Sequence, residues 1–207
     1  ADWFLGAARA VEAAAYEAPG SGSVSVVLMG HILAQSFALP AAASVAQVAV
    51  KVGKMGSPAD AFRLYIYSDS SGQPNALLAT GELAAADVDE DTGWRWVTLP
   101  LTSLVAGTYW IVVSRVGSVD GANHYTVGLS TDSYGTCLAW ANGTWYANPL
   151  GQCMPFRVWT GEDTAAQMRR VVSDGGQFLA AADLPAATGI VTNPYRDEGE
   201  TALETFL

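Results

Sequence analysis

The chain has 207 residues, 50% of them hydrophobic and 14% charged, and ten Lys+Arg against twenty Asp+Glu give a formal charge of −10. A chain of this length buries roughly 70% of the surface its unfolded form exposes, which excludes extensive disorder. The acidic balance repels a phosphate backbone and argues against a nucleic-acid partner, and no run of about 18 apolar residues is present to cross a membrane as a helix.

Residues 1–22 read as an N-terminal arm or helix. Asp2 can cap a helix over Trp3–Glu17, since Ala and Leu favour helix. An irregular arm that packs on a neighbour is the equal alternative. The segment lacks the basic start and clean apolar stretch of a signal peptide.

From residue 23 to 160 short apolar runs are punctuated by Gly, Pro, Asn and Asp, the pattern of an all-β sandwich. Ser23–Met29 and His31–Leu39 are the first two predicted strands. Val45–Val52 alternates, with Val48, Val50 and Val52 on one face and Gln47, Ala49 and Lys51 on the other. Ala61–Ser68 places Phe62, Leu64 and Ile66 opposite Arg63, Tyr65 and Tyr67. Asp69–Pro74 is expected to break pairing, because Gly and Pro disfavour a central ladder. Leu77–Leu83, Trp94–Leu99, Thr108–Arg115, Tyr125–Leu129, Cys137–Ala141 and Met154–Thr160 follow as strands. Asn142-Gly143 between Trp140 and Trp145 predicts a type I′ hairpin turn, since both central positions need positive φ. About ten strands over roughly 140 residues fit two antiparallel sheets packed as a jelly roll.

After Gly161 the pattern changes to a helical and extended appendage, 161–207. Asp163 or Thr164 can cap a helix over Ala165–Val172, ended by Gly175-Gly176. Glu200–Leu207 forms a short amphipathic helix that needs a surface to dock on.

Motifs for chemistry are sparse, and no catalytic residues are assigned. No G-x-S-x-G elbow or phosphate loop occurs. His31 and His124 stand apart from carboxylate ligand spacings and read as ordinary structural or surface histidines. Asp87, Asp89 and Asp91 lie at D-x-D-x-D spacing ahead of Gly93. A solvated acidic turn is the main reading and a calcium loop the alternative, because Thr98 stands where an EF-hand needs Glu. No other cofactor is expected. Cys137 and Cys153 are either buried thiols or a disulfide pair. Tyr134, Trp140, Trp145 and Tyr146 surround the predicted turn. Exposed aromatic faces there could stack on sugar rings; packing in the core or at an edge is the competing role. Asn142-Gly143-Thr144 also matches the N-glycosylation acceptor pattern.

Ala34-Gln35-Ser36-Phe37, Val45–Val52, Phe62–Tyr67 with Ser71-Gly72-Gln73-Pro74, Trp94–Leu99 and Gly107–Val112 together resemble a jelly-roll module of tailed-phage virion proteins. Anchored bacterial surface domains and carbohydrate-binding-like sandwiches are similar. Gly176–Leu179, Thr188–Ile190 and Tyr195–Leu203 resemble a further segment of tailed-phage virion proteins. The resemblance implies a non-enzymatic particle component, a head decoration or tail part located in the virion. Its partners would be further copies of itself and neighbouring virion proteins. Trp3, Phe4, Leu5, Phe178, Leu179, Tyr195, Leu203 and Phe206 are the candidate assembly residues. The alternatives are a glycan-binding or adhesion module, and an extracellular or cell-surface filament subunit.

Overall fold

The computed structural model describes residues 11–17, 24–28 (backbone course only), 32–117, 120–132, 134–148 and 151–161. Within them run β1 (Glu12–Tyr16), β2 (Val24–Leu28), β3 (Ile32–Leu39), β4 (Ala43–Met55), β5 (Phe62–Ser70), β6 (Gln73–Leu83), β7 (Gly93–Leu104), β8 (Gly107–Arg115), β9 (His124–Leu129), β10 (Cys137–Ala141), β11 (Thr144–Ala147) and β12 (Phe156–Thr160). A 3-10 turn, Ala85–Asp87, sits between β6 and β7.

The strands form two six-stranded sheets, and every pairing is antiparallel. In the first sheet β4 is central. Along one edge its first half pairs β12 and its second half pairs β9; along the other edge it pairs β7. β1 extends the sheet beyond β12, and β2 extends it beyond β9. The second sheet runs β11-β10-β3-β8-β5-β6. Successive strands from β3 to β12 mostly pass from one sheet to the other, as in a β-sandwich.

Period-two alternation builds the layer between the sheets. Val48, Val50 and Val52 of β4 meet Phe62, Leu64 and Ile66 of β5, Ile111 and Val113 of β8, and Phe156 and Val158 of β12 in one buried cluster. Each such side chain contributes about 1.5–3 kcal/mol by leaving water. Gln35, a fully buried amide in this layer, has partners for both ends. Gln35 Nε2 donates to the Tyr134 carbonyl at 2.7 Å, and Gln35 Oε1 accepts from the Met154 N–H at 3.0 Å. Where β6 of one sheet crosses β7 of the other, Gly81 lets the backbones approach. A Cβ there would lie 2.5 Å from the Thr98 carbonyl oxygen and 2.6 Å from Val97 Cγ1.

Two expectations need correcting. Glu12–Tyr16 is a strand, not the end of a helix. Its register with β12 brings Tyr16 opposite Phe156, and Tyr16 stacks on Tyr134 with centroids 4.8 Å apart. Tertiary pairing outweighs the helix propensity of Ala-Ala-Ala. These residues therefore belong to the sandwich body. Asp69–Pro74 does not break pairing. The turn is only Ser71-Gly72, both at positive φ, and Ser70 pairs Gln73 while Asp69 pairs Pro74. Pro74 is accommodated because β6 is an edge strand. His31 and the predicted helices over Ala165–Val172 and Glu200–Leu207 lie outside the described residues, as do the assembly residues Trp3, Phe4, Leu5, Phe178, Leu179, Tyr195, Leu203 and Phe206.

Candidate functional site: two aromatic outer faces

Alternation that sends one set of side chains into the core sends the other set outward. On the first sheet the outward set of β4 is Gln47, Ala49 and Lys51. In register, Gln47 lies between Trp159 of β12 and Thr98 of β7; Ala49 lies between Arg157 and Trp96; Lys51 lies beside Trp94. The strands flanking β4 are about 9–10 Å apart. The Trp96 and Trp159 rings nevertheless meet edge to face at 5.3 Å, so they close over β4 between them. That roof explains why outward-facing Ala49 is 0% exposed and Gln47 only 8%. Gln47 Nε2 reaches Thr98 Oγ1 at 3.5 Å, whereas Gln47 Oε1 is buried without a donor.

Charge gathers at the next position along. The Trp94 ring has Lys51 Nζ 5.4 Å and Arg157 Cζ 4.7 Å from its centroid. Such contacts are worth about 0.5–1 kcal/mol at exposed sites. Arg157 is also paired with the Glu17 carboxylate. Beyond Lys51 the face ends at a hydroxyl pair, Thr92 Oγ1 and Thr126 Oγ1, 2.9 Å apart.

The outer face of the second sheet is different. Ala34, Trp110, Val112 and Leu138 form a second buried cluster, flanked by Ile32, Tyr65, Tyr67 and Trp145. Register joins them into one band: Leu138 beside Ala34, Ala34 beside Val112, Val112 beside Tyr65. Trp110, 1% exposed, donates its indole N–H to Asp69 Oδ1 at 2.7 Å.

The four aromatics named around the predicted turn occupy three places. Trp140 and Trp145 are opposite each other across the β10–β11 hairpin, edge to face at 5.0 Å, at the end of this second band. The Asn142-Gly143 turn that joins them has both residues at positive φ, as the type I′ signal requires. Tyr146 pairs Ala139, so it points to the other side of the hairpin, and it is 39% exposed. Tyr134 lies at the core edge, stacked on Tyr16 and edge-on to Phe156.

The acidic loop spreads its carboxylates. Asp87 lies in the 3-10 turn, and Asp89 pairs with Arg95. Among the described residues no group of three or more His, Cys, Asp or Glu side chains is placed to hold a metal ion. Both cysteines are free thiols. Asn148 Nδ2 donates to Cys137 Sγ at 3.6 Å, and burial pushes the Cys137 thiol up to about 11. Cys153 donates from Sγ to the Tyr134 carbonyl at 3.3 Å. His124 opens β9 at 3% exposure with no hydrogen-bond partner on either ring nitrogen.

A separate polar hub ties the two sheets together. Arg115, at the end of β8, donates from Nε to Asp60 Oδ2 at 3.0 Å and from Nη1 to the Asn123 carbonyl at 2.8 Å. The Gly117 N–H donates to the same Asp60 carboxylate at 2.7 Å, and the Tyr125 hydroxyl of β9 donates to the Asp60 carbonyl.

Lys51, Trp94, Trp96, Arg157 and Trp159 were not singled out from the sequence, although a signal for part of this face was present. Trp94-x-Trp96 at period two puts both indoles on one side of a strand. Which strands would bring Trp159 and Arg157 beside them required the sheet order.

No protein-family model matches this chain, and no curated protein matches it. The fold and the two faces define a β-sandwich module with aromatic exteriors.

Proposed function

We propose that this chain is a non-catalytic structural protein of a virus particle, a head decoration or tail component, held in the assembly by its terminal segments. The observation that carries the reading is where the chain enters and leaves the sandwich. The Thr160 N–H donates to the Val11 carbonyl at 3.0 Å, and the Val11 N–H donates to Thr160 Oγ1 at 3.2 Å. The Gly161 N–H then donates to the Ser44 carbonyl at 2.8 Å. Val11 and Gly161, the first and last described residues, therefore lie at neighbouring points of the sandwich. A stiff body attached at one corner stands out from whatever holds it, which suits a particle decoration. The resemblance of 176–203 to a virion segment supports the same reading. Because β1 belongs to the body, the N-terminal grip falls to residues ahead of Val11.

Mass photometry and negative-stain electron microscopy of the full chain test this reading. An ordered oligomer, lost in Phe178→Asp or Leu203→Asp while sandwich unfolding is unchanged, is the expected result. A strictly monomeric chain, together with native particles that lack it, would overturn the proposal.

A further inference from the structure

We propose that the outer face of the first sheet binds a sugar chain ending in a carboxylate-bearing ring, with Lys51 pairing the carboxylate and Trp94 and Trp96 receiving the apolar faces of the sugars. This goes beyond the particle reading and does not depend on it.

Two features of this face converge. The first is the indoles: Trp94, Trp96 and Trp159 are only partly buried, on strand positions that face away from the core. Broad, partly apolar rings on a rigid sheet suit the C–H faces of pyranoses. The second is charge. In a chain of formal charge −10, this face holds two cations against Trp94. Glu17 already occupies Arg157, whereas Lys51 has no carboxylate beside it among the described residues. An ammonium with no carboxylate beside it among the described residues suits one carboxylate, and the protein's overall charge disfavours a long polyanion.

The rival face does not offer this combination. The second sheet's band is apolar, and its buried indole N–H is already bonded to Asp69.

Isothermal titration and tryptophan fluorescence on the full chain decide the matter. The probes are sialyllactose against lactose, and digalacturonate against cellobiose, so that the sialic-acid and uronic-acid sources are separated. The expected result is that at least one acidic sugar binds and quenches fluorescence while its neutral counterpart is weaker by about tenfold or more, the scale of one charge-assisted contact. Lys51→Ala should remove that preference, Lys51→Arg should keep it, and Trp145→Ala on the hairpin should leave it unchanged. Thermal unfolding of each variant controls for folding. Equal binding of acidic and neutral sugars, indifference to Lys51→Ala, or no binding of any probe would each overturn the proposal. None of those outcomes bears on whether the chain assembles into particles.

Discussion

The two outer faces are made by the same rule and come out opposite in character. Along the middle of the second sheet's outer side Ala34, Trp110, Val112 and Leu138 pack together, and the Trp110 indole N–H finds Asp69. The result is a second small core on the outside of the sandwich. On the first sheet the outward positions mix Trp94, Trp96 and Trp159 with Lys51, Arg157 and Gln47. The indoles there stay partly open, and an acceptor is left without a donor. An outward tryptophan thus acts as structure when its neighbours are apolar and its N–H is bonded. Set among cations and an unpaired amide oxygen, it is available surface.

The sharpest way to break this comparison is to truncate one tryptophan on each side. Trp110→Ala removes a buried side chain and should cost about 3–5 kcal/mol in urea unfolding. Trp96→Ala removes a partly exposed ring and one edge-to-face contact, so about 1–2 kcal/mol is expected. Equal losses would mean the two faces do the same work.

Arg115→Ala should cost about as much as Trp110→Ala but without favouring either face, because the hub joins both sheets. Breaking a buried ion pair by removing one partner costs about 3–5 kcal/mol. Burial alone would raise the Asp60 carboxyl, but the Arg115 guanidinium and the Gly117 N–H together hold it below its ordinary value. A carboxyl depressed in the folded state lends stability above its unfolded pKa and loses it as pH falls through the folded one. The wild type should therefore lose stability below about pH 4. Asp60→Asn should flatten that acid limb. An unchanged slope would show that other carboxylates dominate it.

Much of this fold was legible because alternation reports directly on burial. The inward sets of β4 and β5 were readable residue by residue, and so was the Asn142-Gly143 turn. Two things were not. Glu12–Tyr16 has a helix-favouring composition, and only β12 alongside makes it a strand. Sheet order is likewise a long-range property. Trp159 and Trp96 are 63 positions apart in the chain (159 − 96), and nothing local to either shows that β4 lies between them. The hairpin aromatics illustrate the opposite error. Closeness in sequence grouped Trp145 with Tyr146, yet adjacent strand residues point to opposite sides.

Smaller effects sharpen the comparison at its edges. Gly81→Ala places a methyl against the Thr98 carbonyl where the sheets meet, and overpacking of this kind costs about 1–3 kcal/mol. The displaced β7 carries Trp94 and Trp96, so fluorescence from the first face should shift while the β10–β11 hairpin is undisturbed. If the spectrum does not move, β6 rather than β7 yields.

The smallest expected stability change is the most telling. Lys51 contributes a single cation–π contact and has no carboxylate beside it among the described residues. Lys51→Ala should change unfolding free energy by less than about 1 kcal/mol. On the second sheet the exposed ion pair Arg63–Glu82, 2.5 Å apart, sets the matching control. Arg63→Ala should also cost less than about 1 kcal/mol, since exposed pairs contribute little. Stability cannot separate the two cations, but ligand binding can. Loss of an acidic-sugar response in Lys51→Ala, with Arg63→Ala unaffected, would locate function on the first face. An equal response in both variants would leave the faces distinguished by packing alone.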